Sequence, residues 1–394
     1  MVNLDKWDPE NAEFWSDKGE KIAKKNLWIS IFCLLCAFAI WLYWSIITVQ
    51  MKDLSFPFDN AQLFTLPAIA GLMGATLRIP NSFLIALCGG RNTIFLTTVL
   101  LIVPSFGVGI ALQDTTTPYT TFAVLAALSG IGGGAFASSM SNISYFFPKK
   151  VQGTSLGLNA GLGNLGVSVM QVLLPFVMTF ALFGSFGGEA QKMSGDEGLA
   201  YIQNCGLVWV IPLLVLSVVS WFGMNNLKTA SPFIGSTGAA LVKMLFLLAI
   251  GFLSGGIGLY LLLGLGVSKW LVLPITILLT VVLMKLVPGD IKTSLKQQFA
   301  IFKNKHNWVM TYLYTMTFGS FIGFSAAFPL LIRVVFGDLP DGTPNPNAPN
   351  PFAYAWLGPL VGSLIRPVGG WLSDKFGGAM VTGWNTVIMI VATL

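Results

Sequence analysis

Charged residues are scarce in this chain of 394 residues: Asp, Glu, Lys and Arg together make up only 10%. Soluble domains carry about 25% charged residues, so a chain this poor in charge could not cover a water-facing surface of its size. The apolar residues, 54% of the total, also lie in long runs, and the mean hydropathy is +0.75. The composition therefore excludes an ordinary soluble protein and indicates a membrane protein.

The residues that build most catalytic and metal sites are also rare, with one histidine, His306, and four cysteines. Cys33 and Cys36 form a C-x-x-C pair, but they lie inside an apolar run with no second pair and no histidine nearby, so packing is preferred over a zinc or redox site. No nucleophile–base set or metal cluster is visible, so we expect neither an enzyme nor a cofactor. The net charge of +6 lies in short loops without interleaved aromatic residues, which disfavours a nucleic-acid partner.

Long apolar runs are what the chain has instead. A spanning helix needs roughly 20 mostly apolar residues, and lipid forces each segment to satisfy its own backbone polar groups, so such runs are expected to be helical. We therefore predict an all-α polytopic membrane protein. The eleven candidate spans are 27–49, 62–88, 92–112, 119–147, 153–183, 205–224, 244–268, 270–287, 307–332, 352–373 and 378–394.

The loops between these spans predict an orientation. With the N-terminus in the cytoplasm, sixteen basic residues fall on the cytoplasmic side and four on the other, as the positive-inside rule requires. No cleavable signal peptide precedes the first span, so we expect a multi-pass protein of the cytoplasmic (inner) membrane with a cytoplasmic N-terminus. The two basic residues left over, Arg78 and Arg366, lie within spans.

An internal repeat relates these two arginines. A shift of 288 residues places Arg78 on Arg366 and the pair Gly89-Gly90 on the pair Gly377-Gly378. Both arginines lie in the second span of a half, and both glycine pairs begin the turn that follows. Parallel repeats of this kind are the plan of major facilitator transporters, so the repeat favours that fold.

The same shift predicts the organisation of the chain. It crosses eight spans where a plain six-plus-six plan would give six, so 244–268 and 270–287 are interpreted as an extra two-helix hairpin between the halves. We expect a cytoplasmic segment at 1–26, a six-helix half at 27–230, the hairpin with a basic linker at 231–306, and the start of a second half at 307–394. The chain ends inside an apolar run, so we expect the second half to be truncated.

Charges at membrane depth cost about 2.5–3.5 kcal/mol each on insertion scales, so Arg78 and Arg366 need a reason to be there. None of the sixteen acidic residues lies deep in a span. A guanidinium donates two parallel hydrogen bonds to a flat oxyanion, which makes an external anion the natural counter-charge. We predict that both arginines face a central cavity and bind a small anion. The alternative is that they are structural and donate to backbone carbonyls.

A glycine-rich segment and a loop acid complete the candidates. GLGNLG at 161–166 fits G-x-G-x-x-G, but it lies in an apolar run without a preceding strand, which excludes a dinucleotide site. Glycines let a second helix or a ligand approach the backbone, so packing alone and packing with substrate contact both stay open. Asp374, in GGWLSDKFGG, is interpreted as a conformational latch, with an ordinary loop charge as the alternative.

These segments resemble the nitrate/nitrite porters of the major facilitator superfamily. GTSLGLNAGLGNLGVSVMQ, residues 153–171, is similar to the family's first nitrate signature. FASSMSNISYFFP (136–148) and FGSFIGFSAAF (318–328) are similar to its helices four and seven, and LRIPNSF and IRPVGGWLSDKFGG are similar to its two arginine helices. The second signature would follow on a later helix. The resemblance implies the major facilitator fold and adds the identity of the anion.

The resemblance also implies roles for single residues. Arg78 and Arg366 resemble the pair that clamps the anion, Tyr314 resembles a tyrosine that hydrogen-bonds it, and Phe136 resembles an aromatic wall of the site. Asp374 matches the superfamily's loop motif, which implies gating. The predicted substrate-binding residues are Arg78, Arg366, Tyr314, Phe136, Asn164, Gly161 and Gly163. No catalytic residue and no metal ligand is predicted.

We therefore predict a secondary transporter that exchanges nitrate and nitrite by alternating access, acting as a monomer in the lipid bilayer. Two alternatives stay open, a proton-coupled nitrate importer and an anion-binding membrane sensor that does not transport. The lack of a buried acid or histidine disfavours proton coupling. A sensor would usually carry a soluble output domain, which this sequence lacks.

Overall fold

The computed structural model describes residues 3–54, 56–193, 198–343 and 345–394. Within these ranges the chain is mainly helical, and nine helices are long and apolar enough to cross a membrane. Helices α1 to α8 are Ala12–Asp53, Asn60–Cys88, Gly90–Ala111, Tyr119–Phe146, Lys149–Val177, Asn204–Gly223, Thr237–Gly264 and Lys269–Leu286. Helices α9 to α12 are Asp290–Gln298, Lys305–Phe336, Leu357–Phe376 and Gly378–Thr393. The predicted all-α class is confirmed.

The eleven predicted spans all fall on helices, but two of those helices differ from the other nine. Helix α11 has 20 residues, yet it is not among the nine because Arg366, Asp374 and its glycines and prolines lower its hydropathy. The apolar part of α12, Gly378–Ala392, is shorter than a full span. Of the eleven predicted spanning helices, nine are therefore long and apolar enough to cross a membrane.

Non-helical structure is sparse in the described ranges. Four two-residue strands form two small pairs: β1 (Asn3–Leu4) lies parallel to β4 (Asn226–Leu227), and β2 (Gln191–Lys192) lies antiparallel to β3 (Leu199–Ala200). Short helical turns cover Gly184–Gly187, Phe299–Lys303 and Pro351–Tyr354.

The N-terminal segment is folded against the bundle. Helix α1 begins at Ala12, so the predicted boundary at residue 27 marks where the charged residues end and not where the helix begins. Strand β1 pairs beyond the end of α6, and the Glu10 carboxylate accepts a hydrogen bond of 2.8 Å from the Lys149 backbone N–H. Trp7 packs edge-on against Phe146 at 5.3 Å. The segment therefore ties together the ends of α4, α5 and α6.

Small residues let the helices of the interior approach one another. The Trp41 indole of α1 donates a 2.7 Å hydrogen bond to the Ala70 carbonyl of α2. A Cβ added at Gly74 or Gly133 would lie within 2.5–2.6 Å of that indole. Helices α2 and α4 can therefore pack against the indole only because both positions are glycine. Helix α7 of the predicted hairpin packs along α2, where Gly251 faces Leu77. Large apolar side chains on α6 and α8 remain exposed, as expected for surfaces that face lipid.

The two glycine pairs of the repeat have the same local structure. Gly89 has a φ of 81° and Gly377 a φ of 87°, a region that residues with a Cβ avoid. The Gly89 N–H donates to the Ile85 carbonyl, and the Gly377 N–H donates to the Ser373 carbonyl, which is its equivalent in the repeat. Each first glycine thus turns the chain between two helices. We call the end of the bundle with these turns the near end and the opposite end the far end.

Candidate functional site

Arg78 of α2 and Arg366 of α11 meet at one aromatic ring. The guanidinium carbon of Arg78 lies 4.5 Å from the centroid of the Phe318 ring, and that of Arg366 lies 5.3 Å from the same centroid. Residues 288 apart in the sequence are therefore neighbours in space. Their role as anion ligands stays a prediction.

The surroundings of Arg78 satisfy only part of its hydrogen-bonding capacity. Its Nε donates a 3.1 Å hydrogen bond to the Gly133 carbonyl of α4, as the structural alternative requires. Yet Nη2 is buried and has no partner among the described residues. Because buried donors are almost always paired, this orphaned N–H group indicates a missing acceptor.

Aromatic rings form the wall beside the arginines. Tyr314 stacks on Phe318 with centroids 5.0 Å apart, and Phe136 stacks on Phe318 at 5.4 Å. The Arg78 guanidinium also lies over the rings of Phe136, at 5.0 Å, and Trp41, at 5.5 Å. Ring faces attract a cation, and more so where water is excluded. The rings therefore offset part of the cost of holding the charge at this depth.

Phe318 and Trp41 were not among the residues predicted for the site. Phe318 follows Tyr314 by four residues on α10, which places both on one helix face. That spacing could have predicted Phe318. The contact between Trp41 and Arg78 depends on how α1 crosses α2, and a single sequence does not predict that crossing.

Neither arginine has a carboxylate partner in the part of the chain that the structure describes. The ion pairs found there are Lys24–Glu20, Lys228–Asp5, Lys243–Asp290 and Arg333–Asp53. Two of the sixteen acids, Asp196 and Glu197, lie outside the described residues. The site therefore carries positive charge without a described counter-charge.

The two predicted glycines face different helices. A Cβ added at Gly161 would lie 2.6 Å from the Ser363 carbonyl oxygen and 3.1 Å from Cβ of Arg366. A Cβ added at Gly163 would instead lie 2.6 Å from the Leu34 side chain of α1. Gly161 thus allows α11 to bring Arg366 close to α5, whereas the contact of Gly163 is with α1 and not with either arginine. Both glycines allow close helix packing, and their role in substrate binding stays a prediction.

Asn164, the third predicted residue of this segment, is fully buried. Neither its Oδ1 nor its Nδ2 has a hydrogen-bond partner among the described residues. A buried amide without partners costs free energy, about 1–3 kcal/mol for each unsatisfied group. Its burial therefore calls for a ligand or water that the amide can bond.

Asp374 joins the two repeats at the near end. Its carboxylate accepts hydrogen bonds of 2.7 Å from the backbone N–H groups of Gly153 and Thr154, and one of 2.6 Å from the Thr154 hydroxyl. These donors lie in the first turns of α5, where the free N–H groups and the helix dipole favour an anion. Asp374 is thus bonded across the interface and is not an unpartnered loop charge. Its gating role stays a prediction.

The far end has a second cross-link, which the sequence analysis missed. Arg333 of α10 pairs with Asp53 of α1 at 2.8 Å. The Ser168 hydroxyl of α5 also donates a 2.9 Å hydrogen bond to the Trp356 carbonyl. Arg333 was placed in a loop because the predicted span ended at residue 332, but α10 continues to Phe336. The interface is therefore bonded at both ends.

Comparison with known proteins decides the family, although no family model matches the chain. It is 38% identical over 390 residues to the nitrate/nitrite transporter NarU of Salmonella typhimurium, which covers 99% of this chain and 69% of that protein. The chain belongs to the family of nitrate/nitrite transporters. The family consists of transporters, which sets the chain apart from enzymes.

Other comparisons agree with this family. The NarU of Escherichia coli K12 is 36% identical over 385 residues, covering 98% of this chain and 68% of that protein. The probable nitrate/nitrite antiporter NarK2 of Thermus thermophilus is 38% identical over 391 residues, covering 98% and 72%. Among solved structures, the proton:xylose symporter XylE aligns with a TM-score of 0.42 at 14% identity, over 92% of this chain and 85% of that one. The assignment to the family rests on the sequence relatives and not on this structural likeness.

Proposed function

We propose that the protein exchanges nitrate and nitrite across the cytoplasmic membrane. The observation that supports this most is the convergence of Arg78 and Arg366 on the Phe318 ring, with no described carboxylate paired to either. The relatives NarU and NarK2 are named for nitrate and nitrite. Both anions are small and flat, and each has oxygens spaced to accept the two parallel N–H donors of a guanidinium.

The charge of the site favours exchange over one-way transport. When the site is empty, closure around it holds two cations together in a low-dielectric interior, where like charges repel. A bound anion offsets that repulsion and permits closure. The carrier therefore changes between its two open states more easily with an anion bound than empty. It returns to the first state with the second anion bound.

The bonded ends supply the two gates that alternating access needs. The near end opens when Asp374 leaves the N-terminus of α5, and the far end opens when Arg333 leaves Asp53. The site lies between them at the interface of the two repeats, where transporters of this plan hold their substrates. In this proposal the two gates open in turn.

Flux measurements in proteoliposomes test the exchange. Vesicles loaded with nitrite should take up external nitrate faster than vesicles loaded with an inert anion. Equal uptake in the two preparations would refute exchange. Uptake that follows an imposed pH gradient, and not the internal nitrite, would instead support the proton-coupled importer.

Replacing Arg78 by lysine tests the site itself. Lysine keeps the charge but loses the planar fork, and a hydrogen bond to a charged group contributes about 1.5–3 kcal/mol, so nitrate affinity should fall by about 10- to 150-fold. Arg333→Lys is the matched control, since a lysine still pairs with Asp53 at the far end. Titration calorimetry with nitrate gives both values. An Arg78→Lys variant that binds nitrate like the wild type would remove Arg78 from the site.

We also propose the organisation and sidedness predicted above: two halves joined by the α7–α8 hairpin and the basic linker, a monomeric carrier, and a cytoplasmic near end. Reporter fusions to the loop after α2 and to the loop after α3 check the sidedness. A reporter that is active only outside the cytoplasm should work in the second fusion alone.

A further inference from the structure

The segment that joins α8 to α10 is strongly basic. Residues 285–306 contain five lysines and one acid, Asp290, and Asp290 is already paired with Lys243 of α7 at 3.0 Å. The lysines are Lys285, Lys292, Lys296, Lys303 and Lys305. All five are exposed, and none forms an ion pair with a described carboxylate. The segment thus presents positive charges that no described carboxylate neutralises.

Helix α9 fixes these charges at the membrane surface. Its apolar residues Ile291 and Leu295 are buried against the bundle, whereas Lys292 and Lys296, one turn apart, are exposed on the other face. Spanning helices precede and follow the segment, so it cannot leave the plane of the interface. An amphipathic helix with lysines on its polar face is typical of segments that lie along a membrane surface.

Exposed aromatic and aliphatic residues lie beside the lysines. The rings of Trp308 and Phe302 lie with their centroids 5.9 Å apart, and the Trp308 indole donates a 3.0 Å hydrogen bond to the Phe302 carbonyl. Both rings are exposed, as is Ile301. The Lys285 ammonium lies 5.4 Å from the centroid of the Phe299 ring. Aromatic rings of this kind are enriched at the level of lipid headgroups. Apolar anchors and cations therefore occupy the same stretch of surface.

A polar crevice opens next to α9. Its volume is about 240 Å³, and it lies between α9 and the near ends of α2 and α4. The hydroxyl and amide groups on its wall include those of Ser141, Tyr145, Thr229 and Gln297. Such groups can donate hydrogen bonds to ester, phosphate and glycerol oxygens. The crevice is thus chemically suited to a phospholipid headgroup.

We propose that the linker from Lys285 to Lys305, with this crevice, is a binding site for anionic phospholipids. The lysines attract the phosphate, the crevice takes the polar headgroup, and the exposed rings lie against the acyl chains. Charge complementarity selects the occupant, because the cytoplasmic leaflet carries anionic lipids that attract basic segments beside membrane helices. The choice of occupant rests on the cytoplasmic near end proposed above, but it does not depend on which anion the transporter carries.

Lipid retention measured by native mass spectrometry tests the site. The purified protein is exchanged into mixed phosphatidylglycerol and phosphatidylcholine, and the apparent association constants of the two lipids are compared. The test variant combines Lys292→Gln, Lys296→Gln, Lys303→Gln and Lys305→Gln. All four residues are exposed, so the fold should persist. Wild type should prefer phosphatidylglycerol, and the variant should lose about tenfold or more of that preference.

A control with the same change in net charge distinguishes a specific lipid site from non-specific attraction by the protein's positive charge. It combines Lys18→Gln, Lys21→Gln, Lys24→Gln and Lys25→Gln in α1. Acidic residues such as Glu13, Asp17 and Glu20 alternate with these lysines and reduce the local charge. The control should keep the wild-type preference. Equal retention of the two lipids by wild type, an unchanged test variant, or an equal loss in the control would each overturn the proposal.

Discussion

Replacing Asp374 by asparagine should open the near end of the interface. The carboxylate accepts three hydrogen bonds from the start of α5, two from backbone N–H groups and one from the Thr154 hydroxyl. An asparagine has one oxygen in place of two, and its amide group would face a backbone donor. At least one hydrogen bond and the attraction between the charge and the helix N-terminus are therefore lost.

The size of this effect follows from those contacts. A hydrogen bond to a charged group contributes about 1.5–3 kcal/mol, and a charge at a helix terminus contributes about 0.3–1 kcal/mol. The loss of one of each is about 2–4 kcal/mol. Since 1.4 kcal/mol is a factor of ten in an equilibrium constant, the ratio of open to closed near end should rise by about 30- to 700-fold.

Distances between spin labels at Lys150 and Phe376 measure the opening. Both positions are exposed at the near end, one on each side of the Asp374 contact, and the four native cysteines are all buried, so background labelling should be low. The longer distance should dominate in Asp374→Asn. Thr154→Val removes only the hydroxyl donor and should give a smaller shift in the same direction.

A charge change elsewhere at the near end is the matched control. Asp290→Asn also removes one carboxylate there, but Asp290 pairs with Lys243 and does not touch α5. It should leave the distance distribution unchanged. An Asp374→Asn distribution that matches the wild type, or an equal shift in Asp290→Asn, would refute the argument that Asp374 holds the two repeats together.

Two further predictions concern the interface. Gly161→Ala should displace Arg366, because the new Cβ would meet the backbone of α11. Overpacking of this kind costs about 1–3 kcal/mol, so titration calorimetry should show weaker nitrate binding. Gly71→Ala is the control, since the space around its Cβ is open and nitrate binding should stay normal. Asp53→Asn should favour the open far end by about fivefold, since a partly exposed ion pair contributes up to about 1 kcal/mol. Exchanging the charges, Asp53→Arg with Arg333→Asp, should restore the wild-type distance between spin labels placed on either side of the interface at the far end. A failure of that rescue would count against the pair as a gate.

The helices could be predicted because lipid leaves the backbone no alternative. An apolar run of the right length must satisfy its own N–H and C=O groups, so composition along the chain is enough to locate each span. The ends were less predictable. Helix α1 begins at Ala12 and α10 continues to Phe336, since helices extend past the apolar run into charged residues that the interface tolerates. Because of the second extension, Arg333 was predicted to lie in a loop and not on α10.

Candidate site residues could be chosen from the sequence where their chemistry is conspicuous. Arg78 and Arg366 stand out because a charge inside an apolar run is costly, and their common offset with the glycine pairs suggested that they belong together. Gly161 and Gly163 illustrate the opposite case. The pattern G-x-G placed both in one group, but residues two apart on a helix point in different directions, so one contacts α11 and the other α1.

The sequence by itself determined that this chain lies in a membrane, that it is helical, and that two arginines lie within its spans with no acidic residue nearby in the sequence. These properties depend on the transfer of residues from water to lipid, which is a property of each segment alone. Only the tertiary structure decided that both guanidinium groups share the Phe318 ring, that Asp374 caps α5, and that Arg333 pairs with Asp53. Those contacts depend on how helices cross and rotate against one another, which is set by packing between residues far apart in the chain.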